Sequence, residues 1–212
     1  MDRPKFDADR HISYWQRCFK SLLPTEYTST DSSRILLGFF ILSALDILGV
    51  GIDKLPPSDV KKLRSWILSC QHPNGGFCGS PNHKYPKNYY DVTGQYDIDP
   101  ANLPATFFAI LSLSFVGGLR DVKRIECLRW LKKLQREDGS FGEVLGEDGK
   151  VEGGRDMRYC HFASGVRWML RGDLGPSGKE TYEDIDVDRM VRHIRAGEVE
   201  ARISYPDICA NN

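Results

Sequence analysis

The sequence has no excess of charge of either sign, because 29 lysine and arginine residues are balanced by 29 aspartate and glutamate residues in a chain of 212. A nucleic-acid-binding domain carries a positive field that attracts phosphates, and this composition provides none. Hydrophobic residues make up 41% of the chain and aromatic residues 11%, which is ordinary for a globular domain with a core. The composition predicts a folded domain that does not bind nucleic acid.

The sequence also lacks any CxxC pair. Its six cysteines are scattered, which is typical of reduced thiols inside a cell rather than of a disulfide framework. They are Cys18, Cys70, Cys78, Cys127, Cys160 and Cys209. Cys70 and Cys78 could be combined with His72 as soft metal ligands, but no fourth ligand stands at a useful spacing. We therefore assign no metal site to them.

Long hydrophobic runs are missing as well. The longest apolar run, from Ile35 to Leu45, contains Gly38 and Ser43 and stops at Asp46. It falls well short of the roughly 18 residues that indicate a membrane span. The charged N-terminal residues are not followed by the apolar stretch of a signal peptide. We expect a cytoplasmic protein without a membrane span.

Helical periodicity runs through the sequence, and no segment shows the alternation of a strand. The first helix is expected after a cap at Asp7 or Asp9, and the third from a cap at Ser58 to a stop at His72 and Pro73. The other helices are predicted over about residues 31–48, 104–116, 121–135, 157–170 and 186–196. The pattern predicts an all-α fold.

One turn motif occurs twice. The pattern Gln-x-x-x-Gly-x-Phe at residues 71–77 returns at residues 135–141, each time after a helix that carries a tryptophan. Glycine allows the chain to reverse at the helix end, the glutamine amide can cap backbone groups, and phenylalanine can fill the turn. A second helix type is headed by an aromatic pair, Phe39-Phe40 in one unit and Phe107-Phe108 in the next. The chain is therefore interpreted as a two-helix repeat.

The two helix types differ in their surfaces. The helices with Trp66 and Trp130 each have a charged face, whereas residues 35–45 and 105–116 are apolar nearly all round. The first type suits an outer layer and the second an inner layer. Each inner helix buries one side on its outer partner, so its other apolar side must face an apolar space. This arrangement predicts an α/α toroid around an apolar cavity. From the repeat alone, a helical scaffold or solenoid is the alternative.

Motifs along the chain, in their order, resemble the opening of the β subunits of protein geranylgeranyltransferase type I. The motifs lie at residues 10–18, 33–46, 75–77, 96–97, 102–107, 135–141 and 156–160. The resemblance implies a partial prenyltransferase toroid of inner and outer helices over residues 8–197, incomplete in this chain. Residues 198–212 are interpreted as a divergent tail outside the family pattern.

The resemblance implies an enzyme subunit that transfers geranylgeranyl from geranylgeranyl diphosphate to the cysteine of a C-terminal CaaX motif. The family's enzymes are αβ heterodimers, so the implied partners are a prenyltransferase α subunit, geranylgeranyl diphosphate and CaaX-ending proteins such as small GTPases. Zinc is the implied cofactor, because a coordinated thiol loses its proton and still acts as a nucleophile.

The resemblance also implies substrate-binding residues on the inner helices. Leu36 and Phe40 on the first inner helix, with Pro104 and Thr106 on the second, would face the isoprenoid. In the related farnesyltransferases a bulky tryptophan stands at the place of Leu36. The smaller side chain here therefore favours a C20 over a C15 chain.

Two further residues of the substrate cavity are implied on the third inner helix. Arg158 corresponds to an arginine of the lipid and peptide cavity, and His161 stands one turn later where the family usually has tyrosine. A salt bridge at the helix start is the alternative role for Arg158. A buried, hydrogen-bonded histidine is the alternative for His161.

The family's zinc ligands, an Asp-x-Cys-Tyr motif and a later histidine, have no counterpart in the sequence. The pair Asp207 and Cys209 lacks the following tyrosine and belongs to no repeat. We therefore assign no catalytic residue and no metal ligand to this chain. We expect that, as a truncated chain, it neither binds stoichiometric zinc nor transfers a prenyl group.

Three other functions remain open from the sequence. Farnesyl transfer or Rab-type geranylgeranyl transfer differs only in substrate. A terpene cyclase shares the toroid, and Asp184, Asp186 and Asp188 superficially resemble its acidic motif, although a helix cap and dipole partners explain them better. A noncatalytic toroid that binds an α-type subunit is the third.

Overall fold

The computed structural model describes residues 6–21, 25–84, 98–146, 148–172, 174, 177 and 182–204. Within these ranges lie seven α-helices, namely α1 (Ala8–Lys20), α2 (Arg34–Ile47), α3 (Pro57–Ser69), α4 (Leu103–Val116), α5 (Arg124–Lys133), α6 (Met157–Arg171) and α7 (Val187–Ser204). A short antiparallel hairpin follows α5 and consists of β1 (Val144–Leu145) and β2 (Val151–Glu152). The sequence did not predict this hairpin, because two-residue strands are too short to show alternation.

Three helix starts differ from the prediction. α5 begins at Arg124 rather than near residue 121, because Leu119–Asp121 form a 3₁₀ turn. α2 begins at Arg34 rather than near Asp31, because Thr25–Ser33 form a 3₁₀ segment. α3 begins at Pro57, whose fixed φ suits the first helical position. Ser58 therefore lies inside α3 and does not cap it.

Side-chain caps mark three other helix starts. Asp7 before α1, Asn102 before α4 and Asp186 before α7 each accept a hydrogen bond from the backbone N–H three residues later. The distances are 3.1, 2.8 and 2.8 Å. Each cap satisfies one of the N–H groups that a helix start leaves unpaired. The predicted cap at Asp7 is confirmed.

The helices form the two layers that the repeat predicts. α4 packs between α2 and α6, while α3 packs on α4 and both α5 and α7 pack on α6. The inner layer is thus α2, α4 and α6, and the outer layer includes α3, α5 and α7. α4 is buried on most of its circumference, with Leu103, Ala109, Ile110 and Leu113 fully enclosed. Among the described helices, none is both long enough and apolar enough to cross a bilayer.

The repeated glutamines tie each turn to the outer helix of the next unit. The Gln135 amide donates to the Asp186 carbonyl oxygen at 2.8 Å and accepts from the Asp186 N–H at 2.7 Å. Gln71 occupies the same position one unit earlier, where it accepts from the Lys123 N–H at 3.3 Å and donates to the Cys127 thiol at 3.3 Å. The predicted capping role of these glutamines is confirmed.

The repeated glycines permit a close approach of backbone to backbone. Gly75 and Gly139 have φ values of +104° and +90°, which disfavour any residue with a side chain. A Cβ at Gly75 would also overlap the Glu126 carbonyl group, and one at Gly139 would overlap that of Arg189. Each turn therefore sits directly against the first turn of the next outer helix.

Candidate functional site

The inner helices share a surface of phenylalanine rings, which we call the aromatic wall. Its members are Phe39, Phe40, Phe107, Phe108, Phe115 and Phe162. The Phe108 ring centroid lies 5.2 Å from that of Phe39, and 5.8 Å from those of both Phe40 and Phe162. These separations are typical of tilted and edge-to-face aromatic pairs. The wall is thus one packed apolar surface that runs across α2, α4 and α6.

Part of this surface is open to solvent. Phe40 is 48% exposed, and Ile47, two turns further along the same face of α2, is 85% exposed. On α6, Trp168 is 75% exposed and lies two turns beyond His161. Exposed large apolar side chains gathered on one face mark a surface that binds an apolar ligand or partner. The wall and the solvent-facing space in front of it, which we call the groove, are our candidate site.

A small recess opens at the start of the inner helices. It has a volume of about 100 Å³ and is lined by Leu36 and Pro104 together with polar groups that include Asn102 and Glu143. The structure thus brings together Leu36 of α2 and Pro104 of α4 at one recess. The recess adds hydrogen-bonding groups to one end of an otherwise apolar surface.

The expectation that Thr106 faces an isoprenoid is wrong in this structure. Thr106 has no exposed surface. Its hydroxyl accepts a hydrogen bond from the Phe77 N–H at 2.8 Å and donates one to the Asn102 carbonyl oxygen at 2.8 Å. The side chain therefore holds the repeated turn onto α4, and the hydroxyl is occupied away from the groove.

Arg158 lies at the start of α6, where its guanidinium is paired with Asp156. Nε and Nη2 of Arg158 donate to the two carboxylate oxygens at 3.0 and 2.9 Å. This hydrogen bonding lowers the pKa of the Asp156 carboxyl group. Both side chains are solvent-exposed, so the pair is of the weak surface type. The salt bridge considered from the sequence is present, and it leaves Arg158 accessible to a ligand.

His161 is exposed, which contradicts the alternative of a buried histidine. Its ring centroid lies 5.3 Å from that of Phe107 and 5.8 Å from that of Phe162. The imidazole thus extends the aromatic wall by a polar ring at the turn of α6 that follows Arg158. It can offer a nitrogen donor or acceptor to a ligand in the groove.

Phe162 belongs to the wall but was not assigned from the sequence. A signal was available, because the aromatic pairs Phe39-Phe40 and Phe107-Phe108 are followed in the third unit by His161-Phe162. The histidine at the first position of the third pair made the pattern harder to recognise.

A hydrogen bond that the sequence does not predict links Tyr159 to Glu143. The Tyr159 hydroxyl donates to the Glu143 carboxylate at 2.8 Å. Burial, together with this hydrogen bond, raises the pKa of Tyr159 to about 12. The contact fixes α6 to the strand segment that borders the recess. No sequence pattern indicates it, since hydrogen bonds between distant side chains depend on the tertiary fold.

A zinc site needs several His, Cys, Asp or Glu side chains that converge on one point. In the part of the chain that the structure covers, no three side chains of His, Cys, Asp or Glu converge on one point. Cys70 and Cys78 are buried, and their thiols face backbone carbonyl oxygens of Trp66 and Ser80. Asp207 and Cys209 lie outside the described residues. The described residues do not fit zinc.

Comparison with known proteins identifies similar chains. The family model of the prenyltransferase α/α-toroid domain matches residues 6–200. The geranylgeranyl transferase type-1 subunit β of Arabidopsis thaliana is 29% identical over 177 residues, which cover 78% of this chain and 44% of that protein. The protein farnesyltransferase subunit β of Pyricularia oryzae is 26% identical over 160 residues, covering 74% of this chain and 26% of that protein. The chain thus spans less than half the length of these relatives.

A solved structure has the same fold. The protein geranylgeranyltransferase-I of Candida albicans, complexed with GGPP, matches 90% of this chain and 51% of its own with a TM-score of 0.68 and 21% sequence identity. This likeness and the family match confirm the predicted α/α toroid of inner and outer helices.

Proposed function

Because the chain belongs to the prenyltransferase α/α-toroid family, we propose that it acts as a β-subunit chain in protein geranylgeranyl transfer of type I. The aromatic wall carries this proposal, because an apolar surface built from packed rings suits a long isoprenoid. The relatives from Arabidopsis and Pyricularia are both β subunits of protein prenyltransferases.

The reaction forms a thioether bond between a cysteine sulfur and C1 of the isoprenoid, while diphosphate leaves with the bonding electrons and the thiol loses its proton. The described residues contribute binding rather than bond-breaking chemistry. The wall holds the isoprenoid, with Phe40 in the open groove and Leu36 and Pro104 at the recess. Arg158 and His161 contribute polar contacts at the start of α6. Such positioning lowers the entropic part of the barrier.

The proposed lipid is geranylgeranyl diphosphate and the proposed acceptors are CaaX-ending proteins such as small GTPases. Leu36 supports the C20 lipid, since the resemblance associates a larger residue at this place with a C15 lipid. The protein is proposed to act in the cytoplasm with a prenyltransferase α subunit. Farnesyl transfer is the alternative that the Pyricularia relative favours.

Direct titration with geranylgeranyl diphosphate and farnesyl diphosphate tests the proposal. Phe40→Ser should weaken binding of the C20 lipid about tenfold, because an apolar contact in a groove of this kind is worth roughly 1 to 3 kcal/mol. Tyr14→Ser is the matched control, since Tyr14 on α1 is 49% exposed, close to the 48% of Phe40, and lies outside the wall. It should bind as the wild type does.

Calorimetry on the chain, alone and with a prenyltransferase α subunit, provides the measurement. Tighter binding of the C15 than of the C20 lipid would favour farnesyl transfer. An equal loss of lipid affinity in the Phe40 and Tyr14 variants would show that the wall is not the lipid site. Transfer of either lipid to a CaaX peptide by the complex would test the activity itself.

A further inference from the structure

Gly165 lies in the third turn of α6, directly against the ring of Phe107 from α4. A Cβ built on Gly165 would lie 2.5 Å from Cε2 of this ring and 3.1 Å from Cδ2. Real side chains do not approach ring carbons so closely. The ring can therefore take this position only because residue 165 has no side chain.

The backbone gives no other reason for glycine at this place. Gly165 is not among the glycines with positive φ in the described residues, so alanine could adopt its conformation. Glycine within a helix is less favourable than alanine, because it loses more backbone entropy on folding. The space that the Phe107 ring occupies accounts for this unfavourable choice.

The remaining sides of the Phe107 ring are also occupied. Its centroid lies 5.3 Å from that of Phe108, 5.1 Å from that of Phe162 and 5.3 Å from that of His161. Phe107 is nevertheless only half-buried, so part of its ring is accessible to solvent. A methyl group at residue 165 would push the ring toward that accessible side, because the packed neighbours resist movement.

We infer that Gly165 is a positioning residue that keeps Phe107 back against α6 and so keeps the groove wide enough for a long isoprenoid. This inference rests on the proposed function and deepens it by naming a determinant of lipid length. A ring pushed into the groove excludes part of the volume that a bound chain needs. The longer chain contacts more of the wall and should lose more affinity.

The test compares Gly165→Ala, Phe107→Leu and the double variant with the wild type. Affinities for geranylgeranyl diphosphate and farnesyl diphosphate are measured by calorimetry on the full chain. Gly165→Ala should weaken C20 binding about tenfold and C15 binding less, the size expected when a pocket changes by one methyl group. Adding Phe107→Leu to Gly165→Ala should restore the C20 to C15 ratio, because the smaller side chain leaves room for the new methyl group.

Gly38→Ala is the matched control, since Gly38 lies in the inner helix α2 and a Cβ there would meet nothing within 4 Å. It should bind both lipids as the wild type does. Unchanged lipid affinities in Gly165→Ala would overturn the inference. So would a loss that Phe107→Leu does not rescue, since Gly165 would then act through α6 itself. Failure of the wild type to bind either lipid would instead refute the proposed function, and this inference with it.

Discussion

Gln135 and Gln71 occupy equivalent places in the repeat but make hydrogen bonds of different quality. Gln135 bonds both backbone groups of Asp186 at 2.7 and 2.8 Å, whereas Gln71 makes longer bonds of 3.3 Å, one of them to a thiol. Sulfur is a weak acceptor. Gln135→Ala should therefore lower the free energy of unfolding by about 2 kcal/mol, and Gln71→Ala by about 1 kcal/mol or less.

Urea denaturation of the two alanine variants measures this difference, and each variant serves as the control for the other. Equal losses would mean that the turn, rather than the individual hydrogen bonds, sets the stability of the junction.

Single residues were the least predictable part of the site. Leu36 and Pro104, which the resemblance names, line one recess, and their contact with an isoprenoid stays a prediction. It misplaced Thr106, because burial of a hydroxyl depends on the backbone N–H of Phe77, far away in the sequence. It could not decide whether His161 is buried, since exposure follows from packing that one helix does not specify. The contacts of Arg158 and His161 with a substrate stay predictions.

At the scale of elements, a cluster of charges fixes the segment before α7 to α6. Arg167 donates three hydrogen bonds to the Asp184 carboxylate, at 2.9, 3.1 and 2.7 Å, and Arg171 lies within ion-pair distance of it. Burial alone would raise the pKa of Asp184, but the hydrogen bonds from Arg167 and the charges of both arginines outweigh it and lower this pKa. The pairing, not an acidic catalytic motif, explains this aspartate.

Asp184→Asn should reduce the free energy of unfolding by about 2 kcal/mol at neutral pH, since hydrogen bonds to charged groups are the stronger kind. A lowered folded-state pKa gives stability that is present above the unfolded value of about 3.9 and is lost as the pH falls through the folded value. The difference in the free energy of unfolding between wild type and variant should therefore disappear as the pH falls below about 4.

Denaturant unfolding at a series of pH values checks both parts. Asp53→Asn is the control, because Asp53 pairs with Lys54 at the surface and its pKa is also lowered. Solvent screens such an exposed pair, so the variant should differ little from the wild type. A gap for Asp184→Asn that is constant with pH would show that the carboxylate charge is not responsible.

The presence of the helices, and their assignment to the inner or outer layer, were predictable because both depend on local periodicity. α4 is apolar all round and lies between α2 and α6, as an inner helix should. The start of α2 was not predictable, since Thr25–Ser33 form a 3₁₀ segment. Asp31 of this segment pairs with Arg34, the first residue of α2. The boundary proposed at residue 198 stays a prediction, because side chains beyond residue 197 lie outside the described set.

At the scale of the whole molecule, the inner layer carries both the aromatic wall and exposed apolar side chains. The repeat stacks three inner helices so that their aromatic pairs join into one wall. The same face carries exposed apolar groups at its far end, with Trp168 75% exposed. Trp168 lies two turns after His161 and therefore on the same side of α6. A lipid bound on the wall is therefore expected to reach Trp168.

Tryptophan fluorescence can test that expectation, because the chain has four tryptophans in different environments. Trp130 is buried, so a change in polarity on ligand binding should arise mainly at Trp168. Geranylgeranyl diphosphate should shift the emission to shorter wavelength as the lipid displaces water from the indole, and inorganic diphosphate should not. Trp168→Phe should remove most of this shift, whereas Trp66→Phe on the outer helix α3 should retain it. A shift of full size in Trp168→Phe would place the lipid away from the far end of α6 and would confine the site to the wall near Phe40 and Phe107.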